Sequence, residues 1–188
     1  MRIVAGEARG RRLAAPPGST TRPTSDRARE GLFGTVASEL GGSLAGTRWL
    51  DLYAGSGAVG LEALSRGAAV ALFVESDTRA AAVIRENITR VGLPGGQVAV
   101  GPVERVLARG PGGPPYDVVF ADPPYAVGGE SVALVLDALN GRGWLCRGAL
   151  IVIERASRSG DLSWPEGYDG GKARRYGEAT FWYGHLAA

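Results

Sequence analysis

From residue 48 onward, short apolar runs alternate with stretches of helical spacing, and this alternation restricts the fold more than any other feature of the chain. Residues 49–53, 70–74, 98–100, 118–121 and 149–153 read as strands. Residues 58–66, 78–91, 103–109 and 130–140 read as helices. The second of these carries Ala81, Ile84, Ile88 and Val91 on one face, and the last carries Val132, Val135, Leu136 and Leu139. Two more strands are expected at 172–176 and 179–185. Strands alternating with helices imply a mainly parallel sheet covered on both faces. Right-handed crossovers make it a doubly wound α/β sheet, whose ligands sit at the carboxyl ends of the strands.

The first 40 residues read differently. Residues 2–5 and 11–14 are expected to pair as a small β-hairpin, followed by a polar run over 16–25. Ala28, Leu32, Phe33, Val36 and Leu40 then give a helix over 26–40. The chain therefore divides into an arm, 1–25, and one globular unit, 26–188. Stretches 111–115 and 157–171 are loops by their Gly, Pro and Ser content.

Charge is uneven along this plan. Residues 1–30 hold seven arginines against Glu7, Asp26 and Glu30, a surplus of four positive charges, while the whole chain carries only +2. A basic arm on a near-neutral body points to an anionic partner such as nucleic acid. An arginine-rich solvated face is the plainer reading, since twenty of the 21 basic residues are arginine. Cys146 is the only cysteine and His185 the only histidine. That rules out an internal disulfide and argues against a His/Cys metal site, so no metal is expected. Neither a signal-peptide run nor a stretch of ~20 apolar residues is present. A soluble, cytoplasmic protein with no membrane partner is the expectation.

Residues 51–60 read Asp51-Leu52-Tyr53-Ala54-Gly55-Ser56-Gly57-Ala58-Val59-Gly60. Gly55, Gly57 and Gly60 form a G-x-G-x-x-G turn between a strand and a helix. Glu75 follows 20 residues after Gly55, at the end of the next strand, where an acid can accept both ribose hydroxyls of an adenosine. In a chain with 30 glycines, chance matches are common, but the strand, helix and acid in register argue for an adenosine-containing cofactor. A nicotinamide cofactor would use the same turn and acid. Asp51 tilts the choice, because a carboxylate repels pyrophosphate and can help hold a cationic sulfonium.

The next constellation is Tyr116-Asp117-Val118-Val119-Phe120-Ala121-Asp122-Pro123-Pro124-Tyr125. It sets Asp122, Pro123, Pro124 and Tyr125 just past a strand that lies beside the glycine turn in a doubly wound sheet. Two prolines fix φ and remove two N–H donors, leaving a stiff, acceptor-rich backbone. Asp122 and the Pro123 carbonyl can each accept one N–H of a base amino group, and Tyr125 offers a stacking face worth ~1–3 kcal/mol. Positioning is then the main catalytic contribution, with no covalent intermediate. A Pro-Pro strand cap with a packed tyrosine is the plainer alternative. The motif does not separate adenine N6 from guanine N2, nor a base from a glutamine amide. Only about 60 residues follow Tyr125, which leaves no room for a DNA-recognition domain and favours an RNA loop with a splayed base. A nicotinamide-dependent oxidoreductase explains the turn but not 122–125. A non-catalytic RNA-binding module explains only the arm.

These residues carry a resemblance. Residues 51–60 look like the cofactor motif of class I, Rossmann-like methyltransferases, and 122–125 like the Asp-Pro-Pro-Tyr motif of amino-methyltransferases. Met1-Arg2-Ile3-Val4-Ala5-Gly6, Gly10-Arg11-Arg12-Leu13, Arg22-Pro23-Thr24 and Asp26-Arg27-Ala28-Arg29-Glu30-Gly31-Leu32-Phe33 resemble the bacterial 16S rRNA guanine-N2 methyltransferase family over nearly the whole chain. The resemblance implies a seven-stranded sheet whose last strand is antiparallel. It implies methyl transfer from S-adenosylmethionine to the N2 of a guanine in small-subunit rRNA, either free or within an assembled or assembling 30S subunit. It further implies that Asp51, Tyr53, Gly55, Ser56, Gly57, Glu75 and Ser76 hold the cofactor. Arg9, Arg11, Arg12, Arg22 and Thr24 are implied to hold RNA or shape the pocket. Relatives often carry Asp or Asn after the third strand, near the cofactor's adenine. Here the stretch is Gly101-Pro102-Val103-Glu104, and the Val103 backbone is expected to take that contact.

Overall fold

The computed structural model describes residues 1–18, 24–124 and 128–188. Its helices are α1 (Asp26–Glu39), α2 (Ala58–Ser65), α3 (Thr78–Val91), α4 (Val103–Leu107) and α5 (Gly129–Gly141). Its strands are β1 (Arg48–Leu52), β2 (Val70–Glu75), β3 (Gly96–Val100), β4 (Tyr116–Ala121), β5 (Leu145–Ala156), β6 (Tyr168–Tyr176) and β7 (Ala179–Leu186). They form one sheet in the order β3-β2-β1-β4-β5-β7-β6. β1 to β5 are mutually parallel, and β7 runs antiparallel between β5 and β6. Among the described residues, no helix is long and apolar enough to cross a membrane.

Side chains alternate across the pleat, so each central strand feeds two cores. Trp49, Phe73, Val118, Phe120 and Phe181 pack under α1, α2 and α3. Leu50, Leu52, Val119 and Ile151 pack under α4 and α5 with Trp144. Trp49 is fully buried and stacks on Phe33 at 5.2 Å between ring centroids. Both faces of β1 and β4 are covered, which is why their sequences read as unbroken apolar runs.

Local signals set the helix ends. Ser25 caps α1 by accepting from the Ala28 N–H, and Asp77 caps α3 by accepting from Arg79 N–H. Gly92, at φ 66°, ends α3 in the left-handed conformation.

The arm forms the expected hairpin, but with a shorter ladder than two full strands would give. It folds back antiparallel, with Ile3 N–H to the Arg11 carbonyl and Leu13 N–H to the Met1 carbonyl. Among the described residues one ladder bridge forms in the arm, Arg2 with Arg12. The reason is that Val4 and Ala5 donate to the Glu62 carboxylate of α2 instead, at 2.8 and 2.9 Å. Buried Glu62 also meets buried Arg29, which in turn donates to the Arg2 carbonyl and to Asp26. The arm is thus fastened to α1 and α2 by charge rather than by strand pairing. The expected loop over 157–171 is also corrected: β6 begins at Tyr168. Tyr168 is buried and donates its hydroxyl to the Leu136 carbonyl, and Gly170 lets the Trp164 ring lie against the strand. β5 is longer than expected, with Gly148 at φ 70° absorbing an irregularity in its pairing with β4.

Candidate active site

The strand order reverses between β1 and β4, where chain connections leave in opposite directions. Such a switch point opens a crevice at the carboxyl ends of the strands. Here it is a cavity of about 240 Å³. On one side lie Asp51, Tyr53, Ala54, Gly55, Ser56, Glu75 and Ser76; on the other lie Asp122, Pro123, Pro124 and Glu154, with Thr24, Ala15 and Pro16 at the arm. Both sequence motifs therefore meet in one space.

The glycine loop is held open by its own backbone geometry. Tyr53 and Gly55 take φ of 58° and 59°, and Gly57 takes 78° as it starts α2. A Cβ at Gly55 would meet nothing within 4 Å, whereas one at Gly60 would strike the Phe73 ring. Gly55 thus leaves room for a ligand, and Gly60 permits close packing of α2 on β2. Two carboxylates brace the turn. Asp51 accepts from Gly60 N–H at 3.0 Å. Glu75 accepts from Gly55 N–H at 2.8 Å through one oxygen and from Asp77 N–H at 2.9 Å through the other. Asn87 of α3, fully buried, donates to the Ser56 carbonyl at 2.9 Å and exchanges two bonds with the Ala14 backbone. It ties the arm to the loop.

The opposite wall is built on β4 and β5. Ala121 pairs with Ile153, so Asp122 and Glu154 stand side by side one residue further on. Glu154 is nearly buried and accepts from the Thr24 hydroxyl at 2.9 Å. Asp122 faces the cavity and accepts no hydrogen bond from another described residue. Burial raises the pKa of Glu154, and the Asp122 charge raises it further against the opposing Thr24 bond. Asp122 keeps an exposed surface, and only the part of its carboxyl set against the cavity wall is desolvated, which shifts it upward. Asp51 is raised well above the carboxylate range by complete burial, partly offset by the Gly60 bond. Burial, with the Glu104 carboxylate nearby, pushes the Tyr53 phenol up to about 12.

Other expected residues lie apart from the cavity. Val103 is buried at the first turn of α4 and is not among the cavity lining. Arg9, Arg11 and Arg12 are exposed on the arm, with Arg11 donating to the Val91 carbonyl at the end of α3. Tyr125 and Arg22 lie outside the described residues. Sequence reasoning missed Glu154, Asn87 and Glu62. Glu154 had no local signal, since its place depends on the pairing of β4 with β5. Asn87, in mid-helix, had none either.

The family model described as conserved hypothetical protein 95 matches residues 1–185. The chain belongs to this family. As a family member it is 36% identical over 160 residues to ribosomal RNA small subunit methyltransferase D of Escherichia coli strain K12, covering 85% of this chain and 77% of that protein. The solved structure of the Escherichia coli protein yhhF, named there as a candidate methyltransferase, is 33% identical with a TM-score of 0.85, covering 100% of this chain and 98% of that one. Magnesium protoporphyrin IX methyltransferase (ChlM) from Synechocystis PCC 6803, solved with bound SAM, shares 12% identity and a TM-score of 0.63 over 85% of this chain and 79% of that one. At that identity the likeness is one of fold, and the family's fold is that of class I methyltransferases.

Proposed function

We propose that this protein is an rRNA methyltransferase that transfers a methyl group from S-adenosylmethionine to the exocyclic N2 of a guanine in small-subunit rRNA. The observation that carries this reading is the meeting of the glycine loop and Asp122-Pro123-Pro124 in one cavity.

The lining suits this cofactor. Asp51, Glu75, Asp122 and Glu154 all border the cavity, and no arginine or lysine lies among its described lining residues. Burial favours the neutral forms of Asp51 and Glu154, yet a lining of carboxyls with no basic side chain still suits a cationic sulfonium better than a pyrophosphate. That weighs against a nicotinamide cofactor. The open space over Gly55 admits a ligand against the loop backbone. When bound, S-adenosylmethionine supplies an electrophilic methyl group on a cationic sulfur. Glu75 would hold the ribose hydroxyls with the lone pairs its two backbone bonds leave free. Tyr53, Ser56, Gly57 and Ser76 would complete that wall, and Asp51 holds the turn in shape. The Val103 backbone would have to reach the adenine from outside the described lining.

On the opposite wall, Asp122 and the Pro123 carbonyl accept the two N–H bonds of the amino group. This directs the nitrogen lone pair out of the base plane, and the gain comes from alignment of the reacting atoms. Tyr125 supplies the stacking face in this scheme. Arg9 and Arg12, exposed on the arm, and Arg22 contact RNA phosphates, while Arg11 and Thr24 shape the approach. Relatives named for small-subunit rRNA support the substrate class. Incubation with labelled S-adenosylmethionine and unmodified 30S subunits is expected to label guanine N2 in small-subunit RNA. Label in DNA or protein alone would overturn the proposal.

A further inference from the structure

Glu154 is a buried carboxyl that the scheme above does not use. It lies near the carboxyl end of β5, in register with Asp122, on the strand paired in parallel with β4. Neighbouring strands run ~4.8 Å apart, so the two carboxyls border one small region of the cavity wall. Its Oε2 accepts from the Thr24 hydroxyl, and its other oxygen has no hydrogen-bond partner in the described residues. Thr24 precedes the α1 cap, and α1 is fastened through Arg29 to Glu62 and the arm. Glu154 is therefore held in place by Thr24 while its carboxyl borders the cavity. A nearly buried carboxyl without such a ligand is costly.

The edge chemistry of the bases says what that ligand is. In guanine, the N2 amino group adjoins the ring N1–H, which is a second donor. In adenine, the N6 amino group adjoins ring N1, which is an acceptor. Guanine N2 is flanked by N1–H and by the acceptor N3, and of the two only N1–H can donate to a carboxyl on the adjoining wall.

We propose that Glu154 is the residue that selects guanine, its carboxyl oxygen accepting the ring N1–H beside the amino group held by Asp122. The inference rests on the methyltransferase reading above. Burial and the Asp122 charge both disfavour the ionised form of Glu154, and an arriving N1–H donor opposes both effects. An adenine in the same pose would set its N1 lone pair against that oxygen. Sites built to pair a substrate N–H discriminate strongly against analogues that lack it.

The test uses 2,6-diaminopurine, which keeps the N2 amino group but has an acceptor at N1. Synthetic RNA stem-loops carry either guanine or 2,6-diaminopurine at the nucleotide that the native enzyme labels. The native enzyme is expected to prefer guanine by roughly 10–100-fold in kcat/KM, the discrimination typical of one base-edge contact. Glu154→Gln, whose amide can donate as well as accept, is expected to reduce that preference to within about threefold. Thr24→Val, which frees the carboxyl without removing it, is expected to fall between. Equal use of both RNAs by the native enzyme overturns the proposal even if the variants fail to fold. So does Glu154→Gln with its preference intact. Absence of any guanine-N2 label from the native enzyme is a different result, which removes the methyltransferase assignment itself.

Discussion

The cavity has two acidic walls that are built differently. Asp51 and Glu75 accept three backbone N–H bonds between them, from Gly60, Gly55 and Asp77. From the described residues Asp122 and Glu154 accept one bond between them, that of the Thr24 hydroxyl. The first pair completes the hydrogen bonding of a tight turn, so it belongs to the fold as much as to the ligand. The second pair stands on strand ends whose backbone is already paired, and its acceptors are left for a substrate. Mutations on the first wall should therefore cost stability and cofactor affinity together. Those on the second should cost turnover or selectivity and leave the fold standing.

Asp122→Ala gives the largest effect that this contrast predicts. The side chain borders the cavity and bonds no described residue, so its loss leaves no buried partner unsatisfied. Turnover is expected to fall at least about 100-fold, as for a misplaced reacting group. Calorimetry should show S-adenosylmethionine binding retained, and the melting temperature should stay close to that of the native protein. Retained turnover, or a large drop in melting temperature, would break the contrast.

The same contrast accounts for what could be read from the sequence. The first wall was legible because Gly55, Gly57, Gly60 and Glu75 sit at fixed spacing within one strand–turn–helix unit, where local geometry dictates residue type. The mainly parallel, doubly wound sheet followed from apolar alternation and crossover handedness, while its seven strands with an antiparallel last one came from the family resemblance. Asp122 was legible because two prolines mark the end of its strand. Glu154 was not, because its role depends on the lateral pairing of β4 with β5, a relation between residues 32 positions apart that no local pattern encodes. Asn87 was hidden for the same reason. Its amide is buried in mid-helix, where the sequence shows only a polar residue on an amphipathic stretch, and its partners Ala14 and Ser56 lie 73 and 31 positions away. The arm's anchoring through Glu62 was equally remote, and it is what kept the expected hairpin to one bridge.

Asn87→Ala breaks the first wall from behind. Three partly buried hydrogen bonds are lost, leaving the Ala14 backbone and the Ser56 carbonyl without their partner. Unsatisfied buried groups cost ~1–3 kcal/mol each, with partial relief where water reaches the arm. At about 2–4 °C per kcal/mol for a chain of this size, a drop of roughly 4–10 °C in melting temperature is expected. Cofactor affinity should weaken with it, since the Ser56 segment of the loop loses its tie to α3. Unchanged stability would mean that the loop holds its shape through Asp51 and Glu75 alone.

The smallest effect sharpens the second wall. Glu154 has a folded-state pKa above the ordinary glutamate value of 4.5 because burial disfavours its charge. A raised carboxyl binds more protons in the folded state than in the unfolded one. Its contribution is favourable below the unfolded value and is lost as pH rises through the folded value. Asp51, Asp122 and Glu75 face the same cavity, and burial raises Asp51 as well, so the native protein should lose stability gradually from weakly acidic to alkaline pH. Glu154→Gln removes one titrating group while keeping an oxygen for the Thr24 hydroxyl. Its melting temperature should match the native value near pH 4 and exceed it by about 2–5 °C near pH 9. Parallel curves across that range would mean that Glu154 ionises freely in the fold. The second wall would then be solvated rather than held dry for a base.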